Sequence, residues 1–399
     1  MSANIVNKIY LNHLGLVCSA GATKQQVINS LQSNKACLTK SQQYSHSKPL
    51  MLGLYDGDLP DIALKQRHWH TRNNQFALLA ALQIAEQVEL AKAKFGSHRI
   101  AVIIGTSTSG ISDNEPLIKQ WMLDNVMPDE YDYQAQEMAA TADFIANYFA
   151  ISGPVYAVST ACSSGAKALA CAQRLIELGL CDVAIAGGVD TMCQLTVQGF
   201  SSLEAVSEER CNPFSKNRQG INVGEGAALF VVSKTVQGVA LEGVGESSDA
   251  HHISAPEPNG RGAIACMEQA LKSAGLSAAQ IDYINLHGTA TPLNDQMESI
   301  AVNQVFGDTT LCSSTKSSTG HTLGAAGAVE AAIAWLLLSA KDHQAWLPAH
   351  HWDGVYDEAL PKLNFVSDKH QCERTPRYIL SNSFAFGGNN ISLILGKVD

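Results

Sequence analysis

The chain has 399 residues, 46% of them hydrophobic and 16% charged, and a formal net charge of -10. Such a chain buries a substantial core, and its acidity excludes a general binder of nucleic acid or anionic membrane, whose footprint is a basic face. No apolar run reaches the roughly 18 residues of a bilayer span, and the ten cysteines are dispersed without a CxxC pair, which suits a reducing cytoplasm better than a disulfide or zinc framework.

The opening run, Lys8 followed by IYLNHLGLVCSAGA, has the outline of a signal peptide. Asn12 and His13 interrupt its apolar stretch, so it reads as a first strand over residues 8–16 and a turn. Strand-like and helix-like segments then alternate, the pattern of an α/β architecture. Helical spacing predicts helices over 24–33, 74–93 and 139–149, with a strand over 100–105. Residues 105–110, GTSTSG, have the glycine spacing of a phosphate loop but lack the Lys and Ser/Thr that follow one, so no nucleotide is implied. A short buried strand over 155–158 leads into a helix over 164–178, and strands follow over 183–187 and 227–233. Beyond them the pattern predicts helices over 262–274, 295–306 and 324–338 and strands over 282–286, 378–383 and 391–395. No Pro/Gly/Ser-rich linker divides these elements, so they form one joined globule. Two halves, 1–236 and 237–399, are suggested by the glycine turns before two apolar strands, GEGAALFVV and FGGNNISLIL.

The junction at 153–169, GPVYAVSTACSSGAKAL, places Cys162 where a strand hands over to a helix. The free amides of a helix's first turn favour a thiolate, and such a position can bring a thiol pKa from about 8.5 into the roughly 3.5 to 7.5 range. A lone cysteine there is more often a small buried hydrophobe. Three later segments change that balance. NLHGTATPLNDQMES puts His287 at a strand end before Gly288, STKSSTGHTLGAAGAVEAA offers Lys316 and His321 before a small-residue helix, and SNSFAFGGNN sets Phe384 and Phe386 before paired glycines. His68 with His70 and His251 with His252 form two local pairs, read as surface or channel rim and not as metal ligands.

With these motifs, and with NPFSKNRQGINVGEGAA, the chain resembles the β-ketoacyl-acyl-carrier-protein synthases, the elongating condensing enzymes of the thiolase superfamily. The resemblance spans nearly the whole chain. It implies a thiolase-like α/β fold, two pseudo-symmetric halves in a five-layered α/β/α/β/α arrangement, usually dimeric, and a decarboxylative Claisen condensation with malonyl carrier. It further implies Cys162 as the acyl-accepting nucleophile, His287 and His321 as donors to the malonyl unit, and Lys316 paired with Glu298 to organise the site. The amides of Cys162 and Phe386 are implied as the oxyanion hole, Phe386 with Phe384 as the gate, and Thr289, Thr291, Ser254 and Pro256 as the wall of the phosphopantetheine tunnel. Thr108 aligns with the floor of the acyl pocket, and Lys65, Arg67 and Arg72 with the docking patch for the acyl carrier protein. No metal or cofactor is implied beyond the carrier's own phosphopantetheine.

A degradative thiolase would carry a second catalytic cysteine near the last glycine turn, and SNSFAFGGNN has none. A chain-initiating synthase would have Asn at His321, and a noncatalytic chain-length factor would lack Cys162. Ala385 stands where the family commonly has glycine, Asn389 replaces a usual threonine, Leu293 and Asn294 alter a turn, and Glu204 stands where some relatives place a basic docking residue. These departures resemble synthases that build aryl polyene or other polyketide-like chains. They leave acyl length open, and likewise whether the chain pairs with itself or with a chain-length factor.

Overall fold

The computed structural model describes residues 8–33, 36–46, 48–370 and 372–398. The first half runs β1 (Ile9–Cys18), α1 (Lys24–Gln32), β2 (Thr39–Ser41), β3 (Leu50–Leu52), α2 (Arg72–Leu82), α3 (Ala85–Phe95), β4 (Ile100–Gly105), α4 (Ile111–Asp124), α5 (Ala140–Tyr148), β5 (Val155–Val158), α6 (Ser164–Glu177), β6 (Val183–Asp190), α7 (Gln194–Ser202) and β7 (Gly226–Ser233). The second half runs β8 (Val239–Ser248), α8 (Arg261–Ala274), β9 (Tyr283–Asn285), α9 (Pro292–Phe306), β10 (Leu311–Ser313), α10 (Lys316–Thr319), α11 (Ala326–Leu338), β11 (Asn364–Phe365), β12 (Tyr378–Phe384) and β13 (Asn389–Lys397).

Eleven strands hydrogen-bond in the order β11, β10, β9, β12, β13, β8, β1, β7, β6, β4, β5, so second-half strands occupy one flank and first-half strands the other. The flanks join where Ile9, Tyr10 and Leu11 of β1 pair with Leu241, Ala240 and Val239 of β8. Helices α6 and α11 pack on each other between the two flanks, α2 and α5 cover the outside of the first, and α8 with α9 covers the outside of the second. This is the expected thiolase-like five-layered arrangement. Its centre is α11, whose thirteen residues are buried apart from Trp335, as an all-round apolar helix requires. Glu330 lies in that helix, 3% exposed.

The helix expected over 74–93 is two helices. Gln83 donates its side-chain amide to the carbonyls of Leu16 (2.9 Å) and Ala22 (3.1 Å), which pins the end of α2 to β1, and Ile84 leaves helical geometry to turn fully into the core. The strand at 155–158 is half-buried, because β5 ends the sheet and among the described residues only β4 pairs with it. Helices α4 and α7 and the ten-residue β8 were not expected from the spacing. Helix α4 buries only Asn114 and contains Pro116, so it has no apolar stripe to read. No helix among the described residues is long and apolar enough to cross a membrane.

Candidate active site

Cys162 sits between β5 and α6 on a turn that the chain makes by holding Ala161 at φ 51°. A left-handed alanine costs on the order of 1 kcal/mol or more and persists only where the surroundings fix it. Phe214, Ala290 and Leu323 share this conformation, at φ 61°, 66° and 51°. Ala290 and Leu323 lie on the segments that carry His287 and His321, while Phe214 donates its N–H to Asp295 in α9 (2.7 Å).

His321 approaches from the segment before α11. Its backbone is held on both sides by the 222–224 segment, through His321 N–H to the Asn222 carbonyl (2.7 Å) and Gly224 N–H to the His321 carbonyl (2.8 Å). Its Nε2 lies 3.0 Å from Cys162 Sγ. His287 follows β9, with its ring edge-on to His321 at 5.3 Å between centroids. The three side chains are buried, 6%, 1% and 2% exposed for Cys162, His287 and His321. Their donor atoms all fall within 4.8 Å of one another, the one such His/Cys/carboxylate group among the described residues.

Lys316 lies behind His287, its Nζ 3.4 Å from Nδ1, and forms an ion pair with Glu330. The expected pairing of Lys316 with Glu298 is therefore corrected. Glu298 instead accepts the backbone N–H groups of His287 and Gly288, at 2.7 Å each, and the Asn382 side-chain amide at 3.3 Å. It shapes the His287 turn and leaves the lysine to Glu330. A carboxylate in the most apolar helix of the chain was itself a signal for that partner, because buried charges are paired. Burial pushes both carboxyls up to about 7, opposed by the two amides at Glu298 and by Lys316 at Glu330.

The electrostatics fix the resting state. An ammonium only donates, so Lys316 makes His287 Nδ1 an acceptor and places the imidazole proton on Nε2. His321 Nδ1 is buried without a partner among the described residues. Burial, and next the Lys316 charge, hold both imidazoles well below the ordinary histidine pKa, so both are neutral. The lowered thiol pKa expected at a helix start is also corrected. Burial pushes the Cys162 thiol up to about 11, against Lys316 and the Phe386 and Cys162 amides, which favour the thiolate. Desolvation outweighs the helix start in the closed site.

A cavity of about 350 Å³ opens onto these groups. Thr289, Thr291, Ser254, Pro256, Phe384, Phe386, Leu293, Asn294 and Glu204 all line it. The two threonine hydroxyls lie 3.0 Å apart, and Phe386 rests against Phe200 with centroids at 5.4 Å. Gly387 N–H binds the Ile253 carbonyl, which ties the glycine turn to the loop carrying Ser254. Of the histidine pairs, His252 hydrogen-bonds Ser254 at this rim, while His68 faces Asp132 and His70 the Leu64 carbonyl.

Two expected site residues are engaged outside this cavity. Thr108 does not line the cavity, because its amide and hydroxyl both turn to Asp190, at 3.0 and 2.9 Å. Arg72 is a structural residue. It forks onto the fully buried Glu225, Nε to Oε2 at 3.0 Å and Nη2 to Oε1 at 2.6 Å, and donates to the Tyr55 carbonyl. Lys65 and Arg67 are exposed and do not line the cavity.

Fold and site together define a cysteine-centred protein of the thiolase-like fold. The N-terminal domain of the beta-ketoacyl synthases matches residues 22–237 and their C-terminal domain residues 239–352, so the chain belongs to the beta-ketoacyl synthase family. It is 42% identical over 264 residues to 3-oxoacyl-[acyl-carrier-protein] synthase 2 of Rhizobium meliloti (strain 1021), and that match covers 61% of each chain. It is 32% identical over 348 residues to the synthase 2 of Staphylococcus aureus (strain COL), covering 82% of each. A ketosynthase (ApeO) solved in complex with its chain length factor (ApeC) from Xenorhabdus doucetiae superposes with a TM-score of 0.93 at 44% identity, over all of both chains.

Proposed function

We propose that this chain is a 3-oxoacyl-[acyl-carrier-protein] synthase that elongates a fatty acyl or polyketide-like chain by decarboxylative condensation. The observation that carries this reading is a thiol in one cavity with two neutral imidazoles, one of them locked by Lys316 as an Nε2–H donor.

In the first half-reaction the Cys162 thiol gives its proton to His321 Nε2, 3.0 Å away, as sulfur attacks the carrier's acyl thioester. The tetrahedral oxyanion takes the N–H groups of Cys162 and Phe386, and its collapse releases the carrier thiolate, which recovers the proton from His321. The unpartnered Nδ1 lets His321 carry its remaining proton on either nitrogen. In the second half-reaction malonyl carrier enters and its carboxylate departs as CO2. The C–C electron pair becomes an enolate whose oxygen is held by the Nε2–H groups of His287 and His321. The enolate carbon attacks the acyl-cysteine, the same two amides hold the new oxyanion, and collapse returns the Cys162 thiolate and a β-ketoacyl carrier. The site supplies the donors, one proton from solvent restores the Cys162 thiol at the end of each cycle, and the reading includes no resident metal or cofactor. Incubation with acyl and malonyl carriers should yield CO2 and a product two carbons longer, with a transient acyl mass on Cys162. Release of CO2 without the longer product would refute elongation.

An intact Cys162 with its two histidines favours the enzyme over a noncatalytic chain-length factor. The full-length likeness to a ketosynthase bound to a chain length factor supports a heterodimer with such a subunit. So do the open edge of β5 and the exposed Trp121, Met122 and Leu123 of α4.

Carrier docking is expected at Lys65 and Arg67 without Arg72. Lys65→Glu with Arg67→Glu should raise KM for carrier-bound substrate several-fold and flatten its salt dependence, with a small pantetheine substrate turned over as before. Arg72→Ala should instead lower Tm and impair both substrates together, because it leaves Glu225 buried without its partner. Equal sensitivity of the two substrates to the Lys65 and Arg67 changes would place the carrier elsewhere.

A further inference from the structure

We propose that Asp190 is a positioning residue of the active site, whose one carboxylate ties the loop after β4 to the segment carrying His321 and so sets His321 against Cys162. Asp190 ends β6 and is fully buried. Its Oδ1 accepts the Thr106 hydroxyl (2.6 Å), the Ser107 amide (2.8 Å) and both the amide and hydroxyl of Thr108. Its Oδ2 accepts the Ser107 hydroxyl and amide and, at 2.6 Å, the Gly324 amide, three residues beyond His321. None of these partners is a cation. A full negative charge is therefore held in the interior by oriented neutral donors alone, an arrangement costly to build unless every donor is fixed.

The loop it holds is also bound to the nucleophile's side. Thr106 N–H donates to the Val158 carbonyl at the end of β5. At Gly105 a Cβ would stand 2.4 Å from the Ser164 carbonyl carbon, so the end of β4 lies directly on the first turn of α6. At Gly324 a Cβ would stand 2.7 Å from both Asp190 Oδ2 and Ser107 N, so the His321 segment lies as closely on the same loop. Asp190 is thus the polar link between the backbone under Cys162 and the backbone under His321. Its charge also acts on the sulfur, disfavouring the thiolate. Among the described residues, Lys316 and His321 from the segment before α11 and His287 after β9 also face Cys162, with Glu330 of α11 behind Lys316.

Two effects of opposite sign follow for Asp190→Asn in the intact chain. Loss of the charge should make Cys162 react several-fold faster with iodoacetamide near neutral pH and move the alkylation midpoint to lower pH. Misplacement of His321 should slow acyl transfer to Cys162 on the order of 10- to 100-fold. A residue that only holds the fold together would lower Tm without moving the alkylation midpoint downward, so an unchanged midpoint or unchanged acyl transfer overturns the proposal. If Asp190→Asn does not fold, Ser107→Ala with Thr108→Val removes two hydroxyl donors and keeps the carboxylate. Acyl transfer should then slow with no downward shift of the midpoint, and unchanged acyl transfer again overturns the proposal. The turnover measurement rests on the synthase reading, whereas alkylation does not. A wild-type chain that fails to condense, with the midpoint shifting as described, would defeat that reading and leave the effect of the Asp190 charge on Cys162 standing.

Discussion

Cys162→Ser should abolish elongation, with a loss on the order of 10⁴-fold or more, the scale seen when a nucleophile is removed. The substitution is nearly isosteric at a site 6% exposed, so the fold and the His321 contact have no reason to change. What changes is the nucleophile. In the closed site even the thiol is held protonated, up to about 11, and it attacks only because sulfur is intrinsically nucleophilic and His321 Nε2 stands 3.0 Å away to take its proton. A hydroxyl needs that proton removed at far greater cost. Cys162→Gln tests the other half of the site. A carboxamide there sets a carbonyl toward the amides of Cys162 and Phe386, in the place of an acyl group, so CO2 release from malonyl carrier should persist while no acyl mass appears on the chain. Full elongation by Cys162→Ser would remove the cysteine from the chemistry.

Much of this site was legible because its residues stand in glycine-bearing turns at element junctions, Cys162 and His287 after strands and His321 before a helix, where sequence marks them plainly. Cys162, His287 and His321 come from three segments far apart in the chain, and it was the set of motifs around them, not any one residue, that marked them as one site. Pairings between segments were less legible. Lys316 was expected to pair with Glu298, and Glu330 went unweighed because spacing along a helix says nothing of which helix faces which. Arg72 illustrates the same limit: a basic run, LKQRHWHTR, reads as one solvated patch until Glu225, 153 residues later, is seen to take one member inward. The thiol was misjudged for a different reason. The helix start and burial act on it in opposite directions, and only the depth at which the fold buries Cys162 shows that burial wins.

Those pairings organise the chemistry in layers. Glu298 holds the His287 turn by two backbone amides, Lys316 sets the proton of that imidazole, and Glu330 holds Lys316. Each layer moves one property of the next, so a substitution in an outer layer changes a chosen half-reaction more than it changes the cavity. The left-handed Ala161, Ala290 and Leu323 belong to the same design. Their strain is tolerated because the packed segments leave the backbone no alternative.

Lys316→Met should depress decarboxylation of malonyl carrier on the order of 10²-fold while acyl transfer to Cys162 survives at neutral pH. Without the ammonium, His287 Nδ1 loses the partner that keeps its proton on Nε2, and one of the two donors to the enolate oxygen is no longer fixed. The single change also leaves Glu330 buried without its cation, a situation that costs about 3 to 5 kcal/mol, so stability must be separated from chemistry. Lys316→Met with Glu330→Leu removes both charges, and the pair should regain most of the lost Tm while decarboxylation stays low. The pH dependence supplies a second sign. Lys316 is the second cause, after burial, that holds His321 below the ordinary histidine pKa, so its loss raises that pKa. Acyl transfer requires His321 unprotonated to accept the thiol proton. The acid side of its rate profile should therefore move to higher pH in both variants. Recovery of decarboxylation along with Tm in the double variant would reduce Lys316 to a structural ion pair, and the proton on His287 would then be set by something else.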